Sequence, residues 1–161
     1  MKAPLIRTIQ PEDNHKVAQM IRNVFHDYDA RQDGTVYSDP TTDQLFELFQ
    51  VPNSIFFLIE LDGEILGSCG VFPTQALPDG YAELVKFYVS SSIRGKGFGR
   101  QLFVQCEAWA KAQGYSHLYL ESMDDFMSAV KLYEKIGFHW LESPLGNTGH
   151  FGCPIWMEKK I

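Results

Sequence analysis

Long apolar runs and an excess of positive charge are both missing from this chain of 161 residues. No segment approaches the roughly 20 apolar residues needed to cross a bilayer, and Met1–Asp13 lacks the uninterrupted hydrophobic stretch of a secretory signal. Lys and Arg total 14 against 20 Asp and Glu, so the formal net charge is −6 and no basic field exists to hold a polyanion. We therefore expect a cytoplasmic protein without membrane or nucleic-acid partners.

Cysteine is also scarce. Cys69, Cys106 and Cys153 are odd in number and far apart, which favours reduced thiols over a disulfide framework. There is no Cys-x-x-Cys pair, and the short spacing between His150 and Cys153 has no second ligand pair beside it, so we expect no metal site. Cys69 falls on a predicted hairpin strand and Cys106 on an apolar helical stripe, so neither has the setting of an activated nucleophile.

The rest of the composition is typical of one globular domain spanning residues 1–161. Hydrophobic residues make up 45% and aromatic residues 14%, which is enough for a full core. Hairpins dominate the middle of the chain, where Asp62-Gly63 predicts a type I′ turn, and strands alternate with helices in the second half. This pattern predicts an α/β fold in which helices cover the faces of a mixed sheet.

Hydrophobic periodicity and turn residues predict the individual elements. The predicted strands are Leu5–Ile9, Ser54–Leu61, Glu64–Val71, Tyr81–Val89, Ser116–Glu121, Phe138–Glu142 and Cys153–Glu158. The predicted helices are one that begins at Gln10, a short one over Thr41–Phe49, one that follows the glycine cluster and ends near Gly114, and one that ends at Gly137.

Three alternating glycines between a strand and a helix carry the clearest chemical signal. Glycines at such a place let the backbone approach a ligand closely, and the N–H groups of the first helical turn form an anion site. Basic side chains add local positive charge to an otherwise acidic chain. The segment contains Arg94, Gly95, Lys96, Gly97, Gly99 and Arg100. These features indicate a ligand that carries phosphate, and a turn that only caps the helix is the alternative.

The glycine spacing excludes two common phosphate motifs. The dinucleotide fingerprint needs its third glycine where Arg100 stands, and it belongs to an opening βαβ unit rather than to the middle of a chain. The P-loop pattern also fails, because no glycine stands five residues before a Gly-Lys-Ser or Gly-Lys-Thr. Nicotinamide dinucleotides are therefore not the expected ligand.

Two motifs of this chain resemble the signatures of the GNAT N-acetyltransferase superfamily. Arg94-x-x-Gly97-x-Gly99, after the strand Ala82–Val89, resembles the acyl-CoA pyrophosphate loop of that family. Ala129–Phe138, a helix with Leu-Tyr-Glu-Lys and a terminal Gly-Phe, resembles the second signature. The order of predicted elements is similar as well. The resemblance covers nearly the whole chain and implies a mixed, mostly antiparallel sheet of about seven strands flanked by four helices.

The resemblance implies how the chain binds acetyl-CoA as its cosubstrate. Backbone N–H groups of residues 95–100 bind the pyrophosphate, and the strand edge at Phe87, Tyr88 and Val89 pairs with the pantetheine arm as an added strand. The chain departs from the family at Phe126, where many members carry an asparagine that contacts CoA. The expected cofactor-binding residues are Phe87, Tyr88, Val89, Arg94, Gly95, Lys96, Gly97, Phe98, Gly99 and Arg100.

The resemblance also implies a general acid and a general base. Tyr133 matches the tyrosine that protonates the departing thiolate, although its helical spacing also fits a core aromatic, and both interpretations can hold. Glu83 stands where several members carry a catalytic glutamate, and a carboxylate in an apolar sheet would have a raised pKa. A solvent-facing glutamate is the alternative there, and Glu121 is the second candidate base. If the reaction requires neither carboxylate, catalysis would depend mostly on positioning the reactants and on polarising the thioester carbonyl through a backbone N–H near Tyr88 or Val89.

The expected reaction is direct transfer of an acetyl group to a primary amine of a small molecule, without a covalent enzyme intermediate. The acidic segment after the first helix is expected to border the acceptor, as is the loop Gly146–Gly152 with His150. A non-catalytic acyl-CoA sensor or module is one alternative, and a peptide or protein N-acetyltransferase is another. If the chain oligomerises, a two-fold homodimer is the expected form. The residues proposed to attract a cationic amine are Asp27, Tyr28, Asp29, Tyr37 and Asp39.

Overall fold

The hairpin in the middle of the chain forms as its turn residues predict. Asp62 and Gly63 adopt positive φ angles of 51° and 83°, and they join two antiparallel strands at Ile55–Leu61 and Glu64–Phe72. These are the second and third of seven strands in one sheet. The computed structural model describes residues 2–161.

Four α-helices accompany the seven strands in this part of the chain. Within residues 2–161, β4 and β5 form the one parallel pair of the sheet, whose order is β1-β2-β3-β4-β5-β7-β6. The strands are β1 (Leu5–Thr8), β2 (Ile55–Leu61), β3 (Glu64–Phe72), β4 (Tyr81–Val89), β5 (His117–Ser122), β6 (His139–Trp140) and β7 (Ile155–Lys160). The helices are α1 (Asn14–Asp27), α2 (Leu45–Leu48), α3 (Phe98–Ala112) and α4 (Met127–Lys135).

Two predicted elements are shorter than their sequence pattern suggests. The helix over Thr41–Phe49 is divided into a 3₁₀ turn at Pro40–Asp43 and the single α-turn of α2, because Gln44 between them has non-helical angles of φ −135° and ψ 46°. Asp39 caps the first turn by accepting a hydrogen bond from the Thr41 amide at 2.9 Å. The predicted strand Phe138–Glu142 pairs only at His139–Trp140. Pro144 follows and has no N–H with which to continue a ladder.

Each face of the sheet buries its own apolar core. Helix α3 packs its predicted stripe on one face, where Leu102, Cys106 and Ala110 are fully buried. Helix α1 covers the other face through residues such as Ile21 and Phe25. The sheet is therefore held between two helical layers.

Strands β4 and β5 separate along their length. Their parallel pairing extends only from Tyr81 opposite His117 to Glu83 opposite Tyr119, although β4 continues to Val89. Beyond Glu83, the edge of β4 that faces β5 has no strand partner within residues 2–161. A gap therefore opens in the middle of the sheet.

A bulge in β4 lies beside this gap. The register with β3 shifts so that Lys86 and Phe87 together oppose Cys69, and Lys86 has a φ of 52°. Because one extra residue inverts the alternation, Phe87 lies on the same side of the sheet as Leu84. The hydroxyl of Ser68 donates a hydrogen bond of 2.7 Å to the Lys86 carbonyl and so satisfies the backbone at the bulge.

Candidate functional site

A cavity of about 480 Å³ lies in the gap between the diverging ends of β4 and β5. Helix α4, the glycine segment and the end of α1 complete its walls. Lys96 and Phe98 are the two expected site residues that do not line it. Those that line it are Glu83, Phe87, Tyr88, Val89, Arg94, Gly95, Gly97, Gly99, Arg100 and Tyr133.

One end of the cavity is formed by the glycine segment and the first turn of α3. Gly95 and Gly97 adopt φ angles of 72° and 86°, which explains the need for glycine because other residues rarely adopt positive φ. A Cβ at either position would meet no protein atom, so the space beside both glycines is open. The first amide to bond within the helix is that of Gln101, which donates to the Gly97 carbonyl at 3.1 Å. The amides of residues 98–100 therefore remain available to an anion at the positive end of the helix dipole.

Arg94 fixes this loop to the rest of the protein. Its guanidinium donates a hydrogen bond of 2.8 Å to the Val89 carbonyl and one of 2.9 Å to Asp27, and it lies 4.7 Å from the centre of the Tyr28 ring. Asp27 therefore contacts the loop rather than the acceptor region. Lys96 donates to the Ser92 carbonyl at 2.9 Å, which places its ammonium group outside the cavity.

Glu83 lies where β4 and β5 begin to separate. It is 5% exposed, and its Oε1 accepts a hydrogen bond of 2.6 Å from the Thr74 hydroxyl. Burial raises the pKa of Glu83 to about 7, the Thr74 hydrogen bond opposes that rise, and the charge of Glu121 adds to it. A carboxyl group with such a pKa can take up a proton at physiological pH.

Tyr133 lies on the opposite wall, on α4. Its ring packs against Phe87 and Phe138, with centroid distances of 5.8 and 6.1 Å. Burial raises the pKa of the hydroxyl well above its usual range, so the group is protonated at neutral pH. Within residues 2–161 this hydroxyl has no hydrogen-bond partner, and it is therefore available to a ligand in the cavity.

The other end of the cavity is closed by two segments that are far apart in sequence. His150 Nε2 lies 2.8 Å from an oxygen of Asp39, and the Gly152 amide donates to the Gly34 carbonyl at 2.9 Å. Thr148 donates a hydrogen bond of 2.5 Å to Glu121. The loop after β6 thus joins the segment between α1 and α2 over the cavity.

Comparisons with known proteins agree with this architecture. The sequence profile described as the acetyltransferase (GNAT) family matches residues 19–138. The chain belongs to the GNAT family. The uncharacterized N-acetyltransferase YjgM of Escherichia coli (strain K12) is 31% identical over 161 residues, which is 99% of this chain and 96% of that protein.

Solved structures agree with the fold of this GNAT protein. An acetyltransferase of the GNAT family from Staphylococcus aureus Mu50 superposes with a TM-score of 0.82 at 18% identity, covering 98% of this chain and 99% of that one. The PaiA N-acetyltransferase of Thermoplasma acidophilum, solved in complex with coenzyme A, gives a TM-score of 0.71 at 17% identity and covers 99% of this chain and 100% of that one.

The family and the fold predicted from the sequence are therefore confirmed, and this GNAT protein is an N-acetyltransferase that uses an acyl-CoA. Its residues fit such a ligand. The free amides of the α3 N-terminus suit a pyrophosphate, and the unpaired edge of β4 suits an extended arm that carries amides.

Two residues of the GNAT site follow neither the family pattern nor the sequence motifs. Phe126, at the position of the family's asparagine, packs edge-on against Phe25 and Tyr28 with centroid distances of 5.1 and 5.4 Å. The position thus supports the aromatic wall of the cavity. Lys86 was not expected in the site, because regular alternation along β4 places it in the apolar core and no motif marks the bulge.

Some of the residues expected to attract a cationic amine lie outside the cavity of the GNAT site. Asp29 and Tyr37 do not line the cavity, and the Tyr37 hydroxyl lies 3.0 Å from His26 Nε2. Within residues 2–161 no three His, Cys, Asp or Glu side chains cluster in a way that would hold a metal ion. Each helix in that range is too short or too polar to span a bilayer.

Proposed function

We propose that this enzyme transfers an acetyl group from acetyl-CoA to a primary amine of a small molecule. One observation carries the proposal: a single cavity connects the free amides of the glycine segment with a buried carboxyl group, Glu83, whose pKa is about 7. An acyltransferase needs a site for the pyrophosphate and a proton acceptor for the amine in one continuous space.

The cofactor is held mainly by backbone groups. Amides of residues 95–100 bind the pyrophosphate, and the free edge of β4 at Phe87, Tyr88 and Val89 hydrogen-bonds the pantetheine arm. A backbone amide at this edge also polarises the thioester carbonyl. Arg94 supports the loop through Val89 and Asp27.

Proton transfer is assigned to two side chains on opposite walls. Glu83 accepts the proton of the attacking amine, directly or through water, because its raised pKa matches neutral pH. Tyr133 donates its hydroxyl proton to the departing thiolate, since its hydroxyl is protonated and has no partner within residues 2–161. Glu121 instead accepts hydrogen bonds from Tyr119 at 2.7 Å and from Thr148, which makes it a residue that positions the loop.

The closed acceptor end favours a small molecule over a protein chain. The contacts of His150 with Asp39 and of Gly152 with Gly34 hold two segments together at the border of the cavity, and a small amine needs less room there than a peptide does. An N-terminal residue of a peptide remains the second candidate acceptor. Cytoplasmic location and a two-fold homodimer stay predictions from the sequence.

The first experiment measures thermal stability with acetyl-CoA, with ATP and with NAD. A ligand at about 100 times its dissociation constant raises the melting temperature of a domain of this size by about 5 to 10 °C, and we expect that rise with acetyl-CoA only. Thiol release is then measured with small amines and with short peptides as acceptors. The same assay compares propionyl-CoA with acetyl-CoA as the acyl donor.

Thiol release with small amines at a rate above that with peptides is the expected result. Stabilisation by acetyl-CoA without transfer to any amine or peptide would instead identify an acyl-CoA sensor. A larger shift with ATP or NAD would contradict the cofactor.

A further inference from the structure

Lys86 occupies an unusual backbone position in the wall of the cavity. Its φ of 52° lies in the left-handed region, which is strained for a lysine in a β-strand. The bulge that creates this geometry removes Lys86 from the apolar alternation of β4. Ser68 supports it by donating to the Lys86 carbonyl. The fold thus maintains a strained backbone that brings this residue to the cavity.

Lys86 is a buried residue, but its ammonium group is accessible and has no protein partner within residues 2–161. The residue is 7% exposed and lines the cavity, and its side chain makes no hydrogen bond or ion pair with any residue of 2–161. An ammonium group has three donors, and none of them is used by the described chain, so all three are available to a ligand in the cavity that Lys86 lines. Burial lowers the pKa of Lys86, whereas the nearby charges of Asp39 and Glu83 raise it and so favour the protonated form.

The carboxylates near Lys86 already have partners. Asp39 accepts hydrogen bonds from the amide and the hydroxyl of Thr41 and contacts His150. Glu83 accepts one from Thr74. The three donors of Lys86 therefore lack a counterpart in the described chain, as do the Tyr88 hydroxyl and the free backbone edge of β4. Lys86 carries the charged group among these, and it lines the same cavity as Glu83.

We infer that Lys86 binds a carboxylate of the acceptor, so that the amine acetylated by this enzyme belongs to an amino acid. The inference deepens the proposed function and rests on it. Glu83 would receive the amine and Lys86 the carboxylate of one small molecule. Each charged group of the acceptor would then meet a protein group of opposite charge. Glu83 and Lys86 stand three residues apart on β4 and line one cavity, so a single small molecule that carries both an amine and a carboxylate suits the pair.

The test compares amino acids with their own carboxamides in the unaltered enzyme. Alanine and alaninamide, and β-alanine and its amide, differ only in the carboxylate. Rates of thiol release at saturating acetyl-CoA are expressed per concentration of unprotonated amine, because an amide lowers the pKa of the neighbouring amine. We expect kcat/KM for an acid to exceed that for its amide by about 10- to 100-fold, the usual worth of a charge-assisted hydrogen bond.

Substitution then assigns the preference to the side chain. Lys86→Met keeps the length of the side chain and removes its charge, so it should abolish the preference for acids by raising their KM, while rates with amides change less than threefold. Lys86→Arg should retain the preference. Lys135→Met, at an exposed lysine outside the cavity, is the matched control and should alter neither class.

Three results would overturn the inference. Equal rates with acids and amides in the unaltered enzyme would do so even if no variant folds. An equal loss for both classes in Lys86→Met would assign the lysine a structural role. Transfer to no amine at all, with stabilisation by acetyl-CoA intact, would overturn the proposed function and this inference with it, whereas transfer without preference would overturn the inference alone.

Discussion

The two ends of the cavity are built in different ways. The end proposed to bind the cofactor, called the cofactor end below, is formed by backbone amides from one contiguous segment, residues 95–100, and by the free edge of β4. The acceptor end consists of side chains brought together from distant positions, such as Asp39 and His150, which are 111 residues apart. A contiguous motif can be recognised in the sequence, whereas side chains from distant positions cannot. The sequence therefore indicates the cofactor but not the acceptor.

The two ends also differ in electrostatics. The cofactor end uses fixed amides and the helix dipole, whose strength does not depend on protonation at neutral pH. At the acceptor end, burial raises the pKa of Glu83 and lowers that of Lys86. Changes at the acceptor end should therefore alter turnover and its pH dependence, and changes at the cofactor end should alter affinity for CoA.

Glu83→Gln should produce the largest effect. Losing a general base lowers kcat/KM by on the order of 10²- to 10⁴-fold, while the affinity for CoA stays within about twofold. Because the deprotonated carboxylate is the active form, kcat/KM of the unaltered enzyme should rise with pH through about 7 and be lost below it. This limb should disappear in the variant. Steady-state kinetics from pH 5.5 to 9 and calorimetric CoA binding measure both quantities.

Glu121→Gln is the comparison for that experiment. It should lower kcat/KM less than about tenfold, through the acceptor KM, because it weakens the contact with Thr148 in the loop. A loss in Glu121→Gln that exceeds the loss in Glu83→Gln would transfer the role of base to Glu121.

Tyr133→Phe should separate turnover from stability. We expect kcat to fall by about 10- to 100-fold, because the thiolate leaves without a proton donor. The melting temperature should stay the same or rise, since this hydroxyl makes no hydrogen bond within residues 2–161 that the substitution would remove. Tyr115→Phe is the matched control: it loses a hydrogen bond of 2.9 Å to the Asn53 carbonyl, so it should lose about 1 kcal/mol of stability and no turnover. Unaltered kcat in Tyr133→Phe would exclude the proposed acid.

Gly97→Val should weaken CoA binding by about tenfold or more, because its side chain would project into the space that the pyrophosphate approaches. Gly114→Val is the control at the other end of α3. Both glycines have positive φ and open space around a Cβ, so both variants should lose about 1 to 3 kcal/mol of stability. Equal CoA affinities in the two variants, measured by calorimetry, would contradict the loop assignment.

Asp27→Asn should have the smallest effect. The ion pair with Arg94 is partly exposed, and Arg94 keeps its hydrogen bond to the Val89 carbonyl, so we expect a loss below about 1 kcal/mol and a rise of two- to threefold in the KM for acetyl-CoA. Asp62→Asn, which breaks an exposed pair with Lys2, should leave that KM unchanged. A tenfold effect of Asp27→Asn would mean that the loop depends on α1 far more than its backbone contacts indicate.

Local sequence predicted much of the fold and of the cofactor end. Strand β4 forms at Tyr81–Val89 as its pattern predicts, and the hairpin turns at Asp62-Gly63 because both residues tolerate positive φ. The glycine segment begins α3 as expected. These features depend on neighbours within a few residues, so the sequence carries them directly.

The acceptor end depends on long-range packing. The bulge that brings Lys86 to the cavity arises from the register between β3 and β4, which no local propensity encodes. The loop that follows the predicted strand Phe138–Glu142 is held by two contacts with residues that are distant in sequence. His150 contacts Asp39, and Thr148 donates a hydrogen bond to Glu121.

The sequence by itself therefore determined the family, the order of elements and the glycine segment that begins α3, because glycine φ angles, hydrophobic periodicity and helix termini are local properties of the chain. Only the tertiary structure decided which charged side chains share the cavity and how their protonation responds. The pKa of Glu83 depends on burial and on Glu121, and the exposure of Lys86 to the ligand space depends on how β4 and β5 separate.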